Sequence, residues 1–195
     1  DSQQEPATSR RSPAEILQAS PYADRVGAFE GASYEVKGLF RPAVDCILCA
    51  IIDGNERVDR LMIWEDDLIA VSANLYPYNA GHLLLFPKRH IFDPREMTTA
   101  EVTRMAEVQK ICLDALDRVY EPAGYNIGSN IGEASGASIE HLHQHIVPRY
   151  PKELGFVDIC AGAKIIIEDP HVTMEKLRAA VSTPKKPSRR PSKGA

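Results

Sequence analysis

The chain has 195 residues, of which 44% are hydrophobic, and this is enough for one domain with a sizeable core. Its net charge is −4, but the last twelve residues hold five basic side chains and no acidic one, so the rest of the chain carries −9. An acidic body argues against a nucleic-acid-binding surface. No apolar run approaches the roughly 18 residues of a membrane helix, and the polar N-terminus lacks the apolar stretch of a signal peptide. We therefore predict a cytoplasmic protein with no membrane partner.

Composition divides the chain into three parts. Residues 1–40 begin with a polar stretch rich in Ser, Gln and Pro, and are predicted to be a partly disordered N-terminal extension. Residues 183–195 are a basic stretch rich in Pro, Ser and Lys, typical of a solvated, disordered tail. The folded domain is expected over residues 41–182.

Within that domain, the first predicted elements are strands. Residues 61–64 and 68–71 are short apolar runs separated by an acidic turn, which indicates a hairpin. Residues 74–81 are dense in turn-forming residues, and residues 82–86 form an apolar strand that ends at Pro87. A loop is therefore expected to join two core strands.

One long helix follows. Thr98 and Glu101 have the spacing of a capping box, and apolar residues recur at helical spacing up to Pro122. Residues 124–131 then alternate as a strand, and residues 132–138 form a loop of small residues. Strands on both sides of one helix predict an α+β domain built on an antiparallel sheet.

Three of the six histidines fall within five positions, at His141, His143 and His145. On a strand they would line one face, with the outer two backbones roughly 13 Å apart, which makes a single metal held by all three awkward. A neutral imidazole is instead a good nucleophile toward phosphorus near pH 7 and a good leaving group once protonated. A neighbouring histidine, a glycine-rich backbone at Gly136 and the hydroxyl of Ser138 could hold the phosphate oxygens.

The pair Cys46 and Cys49 has C-x-x-C spacing. This pattern suits half of a zinc site, a redox site of the thioredoxin type, or two free thiols in a reducing compartment. A redox motif normally lies at a strand-to-helix turn, which the sequence does not show. Zinc would need two further ligands.

The segment His-Leu-His-Gln-His-Ile-Val, continuing into Pro148 and Arg149, resembles the signature of the histidine-triad (HIT) superfamily. Residues 74–82 and 126–132 resemble the nucleoside-binding turn and the stretch before the triad in the same superfamily. The branch that fits best contains the fragile-histidine-triad hydrolases and the bacterial diadenosine tetraphosphate phosphorylases and hydrolases. The resemblance implies an antiparallel sheet of about five strands with one long helix and a shorter C-terminal helix. Gln144 departs from the family, which more often has an apolar residue there.

The resemblance also implies a role for each residue. His143 would form a covalent nucleotidyl intermediate, and His145 would hydrogen-bond the phosphate under attack. Ser138 would contact the phosphates or the leaving group. Substrate binding is implied for a further group, namely Asn74, Asn130, Gly136 and His82. A closed, structural Zn²⁺ is implied on four ligands, namely Cys46, Cys49, His90 and His141. Pairing of two subunits into a homodimer is implied as well.

The predicted function is cleavage of dinucleoside polyphosphates, namely diadenosine tetra- or triphosphate, by a nucleotide hydrolase or phosphorylase acting through nucleotidyl-His143. Two alternatives stay open at this stage. One is a nucleoside phosphoramidate hydrolase, whose substrate carries a P–N bond. The other is a nucleotide-binding signalling protein with weak catalysis.

Overall fold

Across the described residues, which are 43–151, 153 and 168–182 of a computed structural model, five strands form one antiparallel sheet. The strands are β1 (Met62–Glu65), β2 (Ile69–Ala73), β3 (Leu83–Pro87), β4 (Gly124–Gly128) and β5 (Gln144–Arg149), in the order β1-β2-β3-β5-β4. The β1–β2 hairpin and the β2–β3 pair follow the predicted order. β5 then inserts between β3 and β4. The predicted fold class is confirmed.

Three α-helices accompany the sheet in the described part of the chain, namely α1 (Ile47–Ile52), α2 (Thr99–Tyr120) and α3 (Pro170–Val181). The predicted capping box at the start of α2 is present, and α2 is followed by Glu121, which caps it with a left-handed φ of 46°. α3 starts after Asp169, whose side chain accepts a hydrogen bond from the His171 N–H. The long helix and the shorter C-terminal helix are therefore both confirmed.

The two faces of the sheet pack against different helices. β2 and β3 are buried along their whole length, so alternate residues point into two separate apolar clusters. The larger cluster joins the sheet to α2 and α3 and includes Val71, Leu85, Leu116, Ile146 and Leu177. The smaller cluster joins the opposite face to α1 and includes Leu48, Ala70, Leu84 and Phe86. His145 pairs with Leu84, which places it on the face covered by α1.

The predicted extent of two strands was wrong. β4 ends at Gly128 instead of residue 131, and β5 begins at Gln144 instead of His141. β5 starts late for two reasons, both at Pro87, the last residue of β3. The Pro87 carbonyl accepts a hydrogen bond from the His141 ring, and proline has no N–H that could extend the sheet ladder. His141 and His143 therefore precede the strand, and only His145 lies on it.

Some predictions lie outside the described residues. These are the N-terminal extension over 1–40 and the tail over 183–195. None of the described helices combines the length and the apolar character needed to cross a bilayer.

Candidate active site and metal cluster

His143 lies directly before β5 and is only 4% exposed. Its Nδ1 lies 2.7 Å from the carbonyl oxygen of His141. A carbonyl oxygen can only accept, so Nδ1 carries the proton and Nε2 keeps the lone pair. Burial lowers the pKa of His143, which favours the neutral ring near pH 7. The contacts of this residue therefore leave an uncharged, nucleophilic Nε2.

A second chain of hydrogen bonds fixes the proton of His145. The Tyr78 N–H donates to His82 Nδ1 at 3.0 Å, so the proton of His82 lies on Nε2. His82 Nε2 lies 3.0 Å from His145 Nδ1 and donates to it. His145 therefore carries its own proton on Nε2. We refer to the Tyr78 N–H, His82 and His145 as the imidazole relay.

The relay ends in a donor directed at the site. His145 Nε2 is buried and has no hydrogen-bond partner among the described residues. Such an unpaired buried donor is costly unless a ligand satisfies it. The rings of His143 and His145 lie 4.9 Å apart, centroid to centroid, at 71°. A nucleophilic nitrogen and a hydrogen-bond donor thus stand side by side, which suits attack on an electrophile whose oxygen gains negative charge.

Burial and the neighbouring His143 lower the pKa of His145 to about 4. The ring is therefore neutral near pH 7, and its single N–H is the one that the relay fixes. The Tyr78 ring stacks on His82 at 4.8 Å and on His145 at 5.9 Å. The sequence analysis assigned Tyr78 no role of its own. The only sequence signal that could have pointed to it is the Tyr-Pro-Tyr-Asn turn just before Gly81 and His82.

The loop before His82 is held by its own side chains. Asn74 Oδ1 accepts from the Tyr76 N–H at 3.1 Å, and Asn74 Nδ2 lies 3.2 Å from His82 Nδ1. Gly81 has a φ of +79°, and a Cβ there would lie 3.0 Å from Leu116 Cδ2. Only glycine fits that position without strain. Asn74 and His82, both predicted to bind substrate, are thus in contact with each other.

The other predicted residues lie on the connection between β4 and β5. Asn130 is half-buried, and Gly136, with a φ of +81°, and Ser138 are exposed. Gly128 pairs with His145, so this connection leaves β4 beside the relay. The roles of Asn130, Gly136 and Ser138 stay predictions. Gln144 lies on the opposite face from His145, and its buried Oε1 has no partner in the described part of the chain.

The four predicted metal ligands come together. One ligand atom from each of four side chains lies within 4.8 Å of all the others, in the group Cys46, Cys49, His90 and His141. Cys49 Sγ lies 3.2 Å from His90 Nδ1, and both sulfurs lie 3.5 Å from His141 Nδ1. A tetrahedral zinc site has a sulfur-to-nitrogen edge of about 3.5 Å, given its bond lengths. The cluster could therefore hold a metal ion.

The surroundings of the cluster suit metal binding. His141 Nε2 donates to the Pro87 carbonyl at 2.8 Å, which leaves Nδ1 unprotonated and directed at the sulfurs. Burial and the neighbouring Cys46 raise the pKa of Cys49 to about 11. A bound cation is the natural means of stabilising a thiolate in such a place. α1, which was not predicted, starts directly after Cys46, and the Cys46 sulfur accepts a hydrogen bond from the Cys49 N–H.

Comparison with known proteins places this geometry in a family. A family model described as HIT domain matches residues 55–152, half of the chain. A second one, IgA Peptidase M64, matches residues 6–55, a segment that the structure describes only from residue 43 onward. The chain is 35% identical to "AP-4-A phosphorylase" of Mycobacterium tuberculosis over 107 residues, 54% of this chain and 55% of the relative. The chain therefore spans about half the length of that relative.

Two further proteins with HIT or histidine-triad names are similar to the chain. "Protein hit" of Bacillus subtilis is 33% identical over 114 residues, 58% of this chain and 77% of the relative. The solved structure of a Zn-bound histidine triad family protein from Mycobacterium smegmatis is 28% identical, with a TM-score of 0.59, over 71% of this chain and 94% of the other. The fold, the histidine geometry and the family match coincide on one segment, and the chain belongs to the HIT domain family.

Proposed function

We propose that the protein is a nucleotide hydrolase or nucleotidyltransferase that cleaves dinucleoside polyphosphates through His143. The observation that carries this proposal is that the lone pair on the buried His143 Nε2 and the unpartnered N–H of His145 lie next to each other. The similarity to AP-4-A phosphorylase supports this class of substrate. Diadenosine tetra- or triphosphate is therefore the substrate to test first.

In the first step, His143 Nε2 attacks a phosphorus atom of the substrate. A P–N bond forms, the P–O bond to the leaving nucleotide breaks, and its electron pair departs on the leaving oxygen. The proton on His143 Nδ1 stays there and remains hydrogen-bonded to the His141 carbonyl, which stabilises the positive charge that the ring gains. The His145 N–H donates to a non-bridging phosphate oxygen, and Ser138 donates to the leaving oxygen.

In the second step, water or inorganic phosphate attacks the nucleotidyl-His143 intermediate. The P–N bond breaks and its electron pair returns to Nε2, while the proton of the acceptor passes to solvent. Water as the acceptor makes the enzyme a hydrolase, and phosphate makes it a phosphorylase. Asn74, Asn130 and Gly136 bind the ribose and phosphates from the two loops that flank His145.

We propose that Cys46, Cys49, His90 and His141 hold a structural Zn²⁺. The ligand spacing fits this ion, and the similar M. smegmatis protein is Zn-bound. With four protein ligands the ion has no open position, so its contribution is to fix the segment that leads into His143. Metal analysis should find about one zinc per chain, lost in a Cys46→Ser/Cys49→Ser variant and kept in Cys112→Ala, whose thiol is buried on α2. A metal-free protein of equal stability would refute the site.

We also propose a homodimer that forms at β4. This strand is one of the two edge strands of the described sheet, and Ile127 on it is 40% exposed. An exposed apolar edge strand favours pairing with a second chain. Light scattering should give a dimer mass for the wild type and a monomer mass for Ile127→Lys. Leu68→Lys, which changes a similarly exposed residue between β1 and β2, should leave the mass unchanged.

The function is tested with a panel of dinucleoside polyphosphates and adenosine phosphoramidate, each with and without inorganic phosphate. His143→Ala should abolish turnover, and mass spectrometry of acid-quenched wild-type enzyme should find a nucleotidyl group on His143. His171→Ala is the matched control, because His171 is an exposed histidine on α3. Undiminished turnover by His143→Ala would exclude His143 as the nucleophile.

A further inference from the structure

A group of side chains ties the loop before His82 to the end of β5. Asn79 Nδ2 donates to the Pro148 carbonyl at 2.8 Å and to Glu153 Oε1 at 3.0 Å. The Tyr150 N–H donates to the same carboxylate oxygen, and the Tyr150 hydroxyl donates to the Ala80 carbonyl at 3.0 Å. We call Asn79, Tyr150 and Glu153 the Asn79 clasp.

Asn79 lies between the two backbone contacts that place His82. Its own carbonyl accepts from the His82 N–H at 3.2 Å. The N–H of the preceding residue, Tyr78, donates to His82 Nδ1 at 3.0 Å. A rotation of the chain at Asn79 would therefore move the donor that keeps the His82 proton on Nε2. The clasp resists that rotation, since it holds the Asn79 side chain at two acceptors.

The charge state of Glu153 suits this task. Burial alone would raise the pKa of Glu153, but hydrogen bonds from Arg149, the Tyr150 N–H and Asn79 lower it below its ordinary value. An ionised carboxylate can only accept hydrogen bonds, as can the Pro148 carbonyl. Both acceptors require the NH₂ group of Asn79, so the orientation of this amide is fixed.

We propose that Asn79 and Glu153 are positioning residues for the imidazole relay, acting through the Tyr78 N–H on the tautomer of His82 and hence of His145. Among the described residues, neither side chain is hydrogen-bonded to His143 or His145, so both act at a distance from the reacting atoms. The inference rests on the proposed function for its effect on turnover. Its effect on the His82 tautomer can be measured without any substrate.

The test compares four variants with the wild type. Asn79→Asp keeps the shape of the side chain but turns an oxygen toward two acceptors. Glu153→Ala removes one of those acceptors. Glu153→Gln keeps the acceptor oxygen and is the conservative variant. Arg149→Gln removes the ion pair that the exposed Arg149 makes with Glu153 and leaves the Asn79 contacts to Pro148 and Glu153 in place, so it is the matched control. Each is measured by ¹⁵N NMR of the histidine rings and by kcat and KM for diadenosine tetraphosphate.

We expect Asn79→Asp to shift the ring nitrogen signals of His82 away from a pure Nε2–H tautomer and to lower kcat at least tenfold, with KM changed less than threefold. Glu153→Ala should shift the His82 signals in the same direction, with a smaller loss of kcat. Glu153→Gln and Arg149→Gln should stay within twofold of the wild type. If Asn79→Asp does not fold, Glu153→Ala decides the question against Glu153→Gln.

A folded Asn79→Asp variant with wild-type His82 signals overturns the inference, whatever its activity. Wild-type turnover with a nucleotidyl group trapped on His143 would then leave the proposed function standing. Conversely, shifted His82 signals in a protein that cleaves none of the nucleotides would support the clasp and remove the proposed function.

Discussion

Replacing Glu101 by Gln should make the stability of the protein less dependent on pH in the acid range. Glu101 is the third residue of α2 and is 4% exposed. Its carboxylate accepts from Arg89 Nε at 3.1 Å, from Arg89 Nη2 at 2.9 Å and from the Thr98 N–H at 2.7 Å. One carboxylate thus joins the start of α2 to the residue before the metal-cluster histidine His90.

The magnitude follows from the pKa of Glu101, which the hydrogen bond from Arg89 lowers from 4.5 to about 2. A shift of this size corresponds to about 3 kcal/mol of stability as an upper limit. Arg89 is 48% exposed, so solvent screening reduces the expected contribution to about 1–2 kcal/mol. The folded pKa is depressed, so this stability is present above pH 4.5 and is lost as the pH falls toward 2.

Urea unfolding at pH 7, 4.5 and 3 measures this contribution. The wild type should exceed Glu101→Gln by about 1–2 kcal/mol at pH 7, with a smaller difference at pH 3. Glu107→Gln on the same helix is the control, because that side chain is 51% exposed and its ion pair with Arg104 is worth less than about 1 kcal/mol. A Glu101→Gln deficit of equal size at pH 7 and pH 3 would refute the reasoning.

Three further predictions concern the loop and the relay. Gly81→Ala should cost about 2–3 kcal/mol in urea unfolding, against about 1 kcal/mol for Gly54→Ala, because both have positive φ but only Gly81 has close neighbours; equal costs would contradict this. His82→Phe should lower kcat at least tenfold with little change in metal content, since it removes the donor to His145 Nδ1 and leaves the metal cluster intact. An unchanged kcat would show that His82 does not act in the relay. The pKa of His145 is lowered to about 4, so its neutral form stabilises the fold above about pH 6.5 and this stability is lost as the pH falls to 4. A His145→Phe variant should therefore lose less stability over that range than the wild type, and an identical pH dependence would count against the burial argument.

The fold was largely predictable because its signals are local. A capping box, a helix that ends before Pro122 and short apolar runs between turns each depend on neighbours in the sequence. α1 was missed because it lacks such local signals. It has only six residues, too few to show a helical period, and its cap is the sulfur of Cys46 instead of the usual Ser, Thr, Asp or Asn.

The candidate site was predicted by residue type, and the grouping of the four metal ligands was implied by the resemblance, but the hydrogen bonds that direct the histidine rings were not predicted. The sequence identifies the histidines and cysteines, and the structure brings His82 to His145 and the four cluster residues to one another. Which nitrogen carries each proton depends on where the Tyr78 N–H and the His141 carbonyl point. Such directions are set by contacts across the fold, and those to Asn79 come from residues 69 and 74 positions away.

The late start of β5 explains how one segment can serve both the metal cluster and the nucleophile. In a regular strand from residue 141 onward, the His141 carbonyl would be drawn into the sheet ladder, since buried backbone groups must be paired. Here the Leu142 N–H donates to the Ile91 carbonyl, and the His141 carbonyl accepts from His143 Nδ1. The His141 ring meanwhile joins the Pro87 carbonyl to the cysteines. The departure from strand geometry thus gives His143 the acceptor that holds its proton on Nδ1 and leaves Nε2 able to attack.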